Sequence, residues 1–169
     1  MTLPRGLAAK PDHYLTAYEH WFAPYQHEPI TLMELGVHTG GSMRMWRQWF
    51  TKARIIGVDH IRQTEDIEGV ELVWTTQTDP ALAEYRPDIV IDDASHIWGY
   101  TIASFHNLKE APVYAIEDLH VAYLNDSEWS GGRNPMDLIE GLVDDMHENP
   151  VGTFYQTIVQ YPGLVIMVR

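Results

Sequence analysis

Apolar residues along this chain follow two alternating patterns. Compact runs of four to six residues cover Ile30 to Leu35, Arg54 to Val58, Val70 to Trp74, Asp88 to Ile91 and Val113 to Ile116. Such runs, bounded by polar breaks, predict buried parallel strands. Between them, apolar positions recur three or four apart, which predicts helices over roughly Asp12 to Phe22, Met43 to Phe50, Asp79 to Tyr85, Ile97 to Leu108 and Pro135 to Met146. Ser42 reads as a helix cap, and Pro135 suits a first helical turn. Met45, Trp46, Trp49 and Phe50 recur at helical spacing and should pack on the sheet. The pattern changes at the end: Phe154 to Val159, a Tyr161-Pro162-Gly163 turn, then Leu164 to Val168 read as an antiparallel hairpin. The expected fold is α/β and Rossmann-like, a seven-stranded, mostly parallel sheet with a C-terminal antiparallel hairpin and helices on both faces. Residues 1–28 form a polar lead-in, and the whole chain, 1–169, is expected to be one domain without internal repeats.

Two of the strands end in paired acids: Ile91-Asp92-Asp93-Ala94-Ser95-His96 and Ala115-Ile116-Glu117-Asp118-Leu119-His120. The carboxyl ends of parallel strands border the crevice in which open α/β sheets bind ligands. Four carboxylates converging there repel one another unless something positive sits among them. A hard divalent cation with oxygen ligands answers that requirement. His96, three residues beyond Asp93, is near enough to act as a base beside it.

The second chemical signal is the loop Glu34-Leu35-Gly36-Val37-His38-Thr39-Gly40-Gly41-Ser42, which follows a strand and opens a helix. Glycines let the backbone approach a ligand, and a helix start offers free N–H groups. The spacing is not the Gly-x-Gly-x-x-Gly of a dinucleotide pyrophosphate site. Glu34 would repel a pyrophosphate but could hold an ammonium group. Asp59, at the end of the second strand, stands where an acid accepts hydrogen bonds from ribose hydroxyls. A nucleoside carrying an amino-acid moiety fits these charges, and S-adenosylmethionine is such a molecule.

Composition narrows the partners. The formal charge of −13 disfavours the phosphate contacts that dominate nucleic-acid affinity, and anionic membranes likewise. No apolar run is long enough to span a bilayer, and no secretory signal pattern opens the chain. Cysteine is absent, which removes disulfides and thiolate metal sites. The cytoplasm is the simplest setting. Oligomeric state is not readable, and a homo-oligomer remains open.

The ordered motifs resemble those of the metal-dependent, S-adenosylmethionine-dependent sugar O-methyltransferases of the macrocin and mycinamicin group, a superfamily that includes proteins named cephalosporin hydroxylase. The resemblance rests on Leu32-Met33-Glu34-Leu35-Gly36-Val37 with Gly40-Gly41-Ser42, Met45-Trp46, Ile56-Gly57-Val58-Asp59, Gln77-Thr78-Asp79, Ile91 to His96, and Ile116-Glu117-Asp118-Leu119. It implies a class I methyltransferase fold. It also implies Mg²⁺, or Mn²⁺, at Asp93, Glu117 and Asp118, and His96 as general base. Glu34, Gly36, Gly40, Ser42, Asp59, Gln77 and Asp92 are the expected cofactor-site residues. The implied reaction is methyl transfer to a hydroxyl of a sugar or glycosylated small molecule. The group can carry a substantial N-terminal region, whereas about thirty residues precede the first strand here. It also usually has glycine where this chain has Ala94, which matters if that position needs positive φ.

Blander readings stand beside these. Strand-end acids are often caps or solvated loop residues, and His38, His60, His106 and His120 have no catalytic context. Asp144 and Asp145 read as a solvated helix face. The loop around 125–135, with Trp129-Ser130-Gly131-Gly132-Arg133, is either a lid or a plain surface loop. A catechol-type diol O-methyltransferase and a non-catalytic cofactor-binding domain remain alternatives; the glycine spacing disfavours a nicotinamide oxidoreductase.

Overall fold

A computed structural model describes residues 2–124 and 129–169. Among the described residues, seven strands form one sheet: β1 (Thr31–Leu35), β2 (Arg54–Asp59), β3 (Val70–Trp74), β4 (Ile89–Asp92), β5 (Val113–Ile116), β6 (Thr157–Tyr161) and β7 (Leu164–Val168). Their spatial order is β3-β2-β1-β4-β5-β7-β6. The first five are mutually parallel, and β7 runs antiparallel to both β5 and β6. The chain reverses direction across the sheet between β3 and β4, which flank opposite sides of the β2–β1 pair. That switch point opens a crevice at the carboxyl ends of β1 and β4.

The alternation of side chains along the strands divides the core in two. Leu32, Ile55, Ile89, Ile91, Val113, Ala115, Leu164 and Ile166 face one side and meet α1 (Asp12–Phe22) and α2 (Gly41–Trp49). Met33, Leu35, Ile56, Val58, Val90, Tyr114, Val165 and Met167 face the other. There they meet Phe105 and Leu108 of α3 (Trp98–Leu108) and Ile139 of α4 (Pro135–Glu148). A period of two on a sheet covered on both faces produces this partition. Met45, Trp46, Trp49 and Phe50 are all buried, as their spacing predicts.

Three local expectations change. The stretch 80–85 is a 3₁₀ helix rather than an α-helix; Asp79 caps it and Pro80 opens it. The cap of α2 is Gly40, which holds φ 77°, and Ser42 lies inside the first turn. A glycine cap leaves the helix start without a side-chain acceptor, and Gly41 and Ser42 of that first turn border the crevice. Ala94 is not among the residues with positive φ; His96, two positions later, is. The alanine therefore meets no steric conflict.

Candidate active site

The parallel ladder runs one hydrogen bond past the strand ends. Gly36 N–H donates to the Val58 carbonyl at 2.8 Å, Asp93 N–H to Leu35 at 2.9 Å, and Glu117 N–H to Asp92 at 3.0 Å. These bonds bring Glu34 near the end of β1 and the acids that follow β4 and β5 to one rim of the sheet. The close approach there admits no side chain at position 36: a Cβ on Gly36, whose φ is 96°, would lie 2.0 Å from the Asp93 carbonyl oxygen. Gly36 is thus required by the meeting of two backbones as well as by its own conformation.

Beside this rim lies a cleft of about 500 Å³, bordered by the glycine loop, Asp59, Gln77 and the segment Asp93 to His96. That volume is within the range of small-molecule sites. Asp59 is only partly exposed. Its Oδ2 accepts from Val37 N–H at 2.9 Å and His38 N–H at 3.0 Å, and its Oδ1 from Ile61 N–H at 3.0 Å. Burial opposes its ionisation, but these three donors outweigh burial and hold the carboxyl below its ordinary range. A carboxylate has about four acceptor positions, so Asp59 can shape the loop and still take a ligand hydroxyl.

Gln77 borders the cleft and reaches from it to the buried Asp92. Gln77 Nε2 donates to Asp92 Oδ1 at 3.3 Å and to Ser104 Oγ at 3.2 Å, while its Oε1 accepts from Ser95 N–H at 3.1 Å. This amide ties β4, α3 and the Ser95 turn together. Burial pushes the Asp92 carboxyl up to about 8, with the Asp93 charge adding to it, against a hydrogen bond from Ala94 N–H.

The four acids of the rim are held in two groups. Asp93, His96 and Asp118 bring ligand atoms within 4.8 Å of one another, and so do Glu34, Asp93 and Glu117. Asp93 is shared, and Glu117 and Asp118 fall into different groups. His96 Nε2 lies 3.5 Å from Asp118 Oδ2 and 3.9 Å from Asp93 Oδ1. All three of these side chains are partly exposed. The open group therefore combines two carboxylates and an imidazole, a donor set suited to a divalent ion with a neighbouring base.

The buried group already contains a cation. Lys10 Nζ stands 2.6 Å from Asp93 Oδ2, 2.7 Å from Glu117 Oε1 and 2.9 Å from Glu34 Oε1. It donates hydrogen bonds to the first two and makes ion-pair contact with the third. Burial pulls the ammonium down, but Glu34, Glu117 and Asp93 together carry it well above its ordinary value. Burial pushes Glu117 up to about 8 and also raises Glu34, while Lys10 opposes both shifts. Glu34 is wholly buried. Its Oε2 accepts from Trp46 Nε1 at 2.8 Å, and the Ser42 hydroxyl also bonds it. The ammonium that Glu34 holds in this structure is thus that of Lys10.

Helix α1 completes the site from residues that the sequence reading treated as a lead-in. Tyr18 OH donates to Glu117 Oε1 at 2.6 Å, and Tyr14 OH to Asp118 Oδ1 at 3.2 Å. Lys10, Tyr14 and Tyr18 recur four residues apart, a spacing that puts the two tyrosines on one helix face. That regularity, together with an acid excess lacking a local cation, is the signal that could have found them. The loop expected around 125–135 lies partly outside the described residues. Within it, Trp129 and Gly131 carbonyls accept from the first N–H groups of α3, at 3.0 and 2.7 Å. The Trp129 ring centroid is 6.3 Å from that of His96. His120 is largely exposed, 3.8 Å from Asp118 Oδ1.

Sheet order, terminal hairpin and switch-point cleft are those of a class I methyltransferase. The MycE methyltransferase of the mycinamycin biosynthetic pathway, solved with Mg and SAH, matches with a TM-score of 0.78 and 23% identity, over 92% of this chain and 49% of that one. A ribosomal RNA methyltransferase from Plasmodium falciparum matches with a TM-score of 0.61 and 13% identity, over 98% and 96% of the two chains. The chain also resembles O-methyltransferases of the rhamnosyl-tetracenomycin and macrocin type in sequence, as its motifs imply. An 8-demethyl-8-(2-methoxy-alpha-L-rhamnosyl)-tetracenomycin-C 3'-O-methyltransferase from Streptomyces olivaceus is 34% identical over 80% of this chain and 41% of its own length. The demethylmacrocin O-methyltransferase of Streptomyces fradiae is 33% identical over 82% and 45%. The chain spans less than half the length of these curated relatives. No family model matches it. Among the described residues, no helix is long and apolar enough to cross a membrane.

Proposed function

We propose that this chain is an S-adenosylmethionine-dependent O-methyltransferase domain that uses a divalent ion, Mg²⁺ or Mn²⁺, and accepts a hydroxyl of a sugar or glycosylated small molecule. The observation that carries the reading is the open Asp93–His96–Asp118 group at the edge of a cleft bordered by the glycine loop and Asp59. The sequence relatives that methylate sugar hydroxyls support the acceptor class. When bound, the ion would lower the pKa of an acceptor hydroxyl and S-adenosylmethionine would supply an activated methyl group.

The chain's own residues have the following roles. Asp59 takes the ribose hydroxyls, and the loop from Gly36 through Gly40 to Ser42 admits the cofactor close to the backbone. Gln77 and Asp92 support that wall from below. Asp93, Glu117 and Asp118 are the carboxylates that would supply oxygen ligands to the ion. His96 accepts the acceptor's proton; its Nε2 stands 3.5 Å from Asp118 Oδ2 and 3.9 Å from Asp93 Oδ1, beside the carboxylates that would hold the ion. Methyl transfer from a sulfonium needs no covalent intermediate, so alignment of donor and acceptor is the main remaining contribution.

The test is calorimetry with S-adenosylmethionine, its demethylated product and NAD, followed by a glycoside and catechol acceptor screen with mass detection, each with and without Mg²⁺. Binding of the sulfur nucleosides and a gain of one methyl on a glycoside, abolished by chelator, is the expected result. NAD binding without a response to either sulfur nucleoside overturns the cofactor. Methylation of catechols alone overturns the acceptor class.

A further inference from the structure

Residues 129–134 bridge the two sides of the open acid group. At one end, the Trp129 carbonyl accepts from Trp98 N–H at 3.0 Å and the Gly131 carbonyl from Gly99 N–H at 2.7 Å. No side chain caps α3 among the described residues, so these two carbonyls serve its first N–H groups. The approach is so close that a Cβ on Gly99 would stand 2.4 Å from the Gly131 carbonyl oxygen. At the other end, Asn134 Nδ2 donates to the Ala122 carbonyl at 2.9 Å, within the 3₁₀ turn Leu119–Tyr123 that follows Asp118. The segment is thus fastened both to the helix that begins just after His96 and to the turn that begins just after Asp118.

This fastening sets an aromatic ring beside the base. The Trp129 ring centroid lies 6.3 Å from that of His96, and the planes are tilted by 52°, so the two faces are not stacked on each other. Trp129 is only partly buried. Among the described residues, His96 borders the cofactor cleft and Trp129 does not. A hydroxyl that meets His96 and faces the cleft leaves the rest of its molecule outside the cleft. Asp93, His96 and Asp118 offer that molecule only polar contacts. A sugar ring also presents an apolar face of C–H groups, and such groups pack on the electron-rich face of an aromatic ring.

We propose that Trp129 is the platform on which the acceptor sugar rests: a face of its indole packs against the C–H face of the ring whose hydroxyl His96 deprotonates. The inference rests on the O-methyltransferase reading above and deepens it by naming a residue that selects the acceptor. The backbone bonds from 129 and 131 to the start of α3 hold platform and base in one register. A sugar ring seated there is aligned with the cofactor before the proton moves, which is the contribution that methyl transfer chiefly needs from the protein.

Steady-state kinetics with methyl rhamnoside, or whichever glycoside of the acceptor screen turns over fastest, test the platform. Trp129→Leu keeps apolar bulk but loses the flat face. Its KM for the glycoside should rise by about 10–100-fold, while kcat and the KM for S-adenosylmethionine stay within about threefold. Trp129→Phe keeps a ring and should recover most of the glycoside KM. A fall in kcat at unchanged glycoside KM means that the indole acts only by packing on His96. That result, or native values of both constants in Trp129→Leu, overturns the inference and leaves the methyltransferase reading intact. If Trp129→Leu does not fold, native protein labelled with 5-fluorotryptophan decides. The resonance that Trp129→Phe lacks should shift when the glycoside is added with Mg²⁺ and the demethylated cofactor, and an unmoved resonance at saturating glycoside overturns the platform. No turnover of any glycoside by the native protein overturns the acceptor class and the inference together.

Discussion

His96 Nε2 lies 3.5 Å from Asp118 Oδ2, and both residues hold left-handed backbones, with φ of 57° and 54°. A left-handed non-glycine residue costs on the order of 1–2 kcal/mol, and such strain persists only where its surroundings enforce it. Here the ladder bonds at Asp93 and Glu117 hold the incoming chain on both sides. The two strained turns aim the imidazole and the carboxylate at the same point.

Replacing His96 tests whether that point is catalytic. His96→Asn keeps a side chain that tolerates the left-handed region, so the fold should survive. Turnover on an identified acceptor should fall by about 10²–10⁴-fold, with binding of the demethylated cofactor kept. Activity of the native protein should rise with pH through one ionisation, and the variant should lack that rise. Full activity in His96→Asn would remove the histidine from the mechanism.

Asp59→Ala should weaken binding of the sulfur nucleosides by about 1.5–3 kcal/mol, the usual worth of a hydrogen bond to a charged group. Calorimetry measures it directly. An unchanged affinity would mean that Asp59 serves only to shape the loop through Val37 and His38.

Gly36→Ala should be among the most damaging single-methyl additions in the chain. The new Cβ meets the Asp93 carbonyl, a backbone atom that cannot rotate away, and φ is positive. Strain and overpacking together should cost roughly 2–5 kcal/mol, read from the urea midpoint. A loss below about 1 kcal/mol would show that the β1–β4 rim yields more easily than its hydrogen bonds suggest.

Asp92 gives a pH dependence of definite sign. Its folded carboxyl keeps a proton up to about 8, whereas an unfolded aspartate loses it near about 4. Between those values the folded state holds more protons, so stability falls as pH rises. This group's contribution is complete below the unfolded value and gone above the folded one. Its slope approaches at most ~1.4 kcal/mol per pH unit. Urea denaturation of Asp92→Asn between pH 5 and pH 8, about the window in which only the folded carboxyl is protonated, should show a flatter profile than the native protein. Glu117, also raised, leaves a residual slope of the same sign. Parallel profiles would mean that Asp92 is ionised throughout.

Sequence alone determined the strands, most helices, the terminal hairpin and the strand-end acids, because each is written in a local pattern: a period of two or 3.6, a glycine break, a polar residue after an apolar run. The acids, glycines and histidine of the candidate site were legible for the same reason, since each stands at a strand end or in the loop after it, whereas Lys10, Tyr14 and Tyr18 were not. Their grouping was not. The pairing of Lys10 with Asp93 and Glu117 spans 83 and 107 positions, and no local pattern specifies a contact at that separation. Converging strand-end carboxylates require a positive charge among them, and the motifs imply a metal ion for it. Only the packing of α1 and the strap before it on the sheet decided that a lysine meets part of that requirement. The same packing turned Glu117 inward and Asp118 outward, although the two are neighbours in the chain. Glu117 is buried beside Lys10 and Tyr18, whereas Asp118 is partly exposed beside Tyr14 and His96, so the two carboxylates have different surroundings.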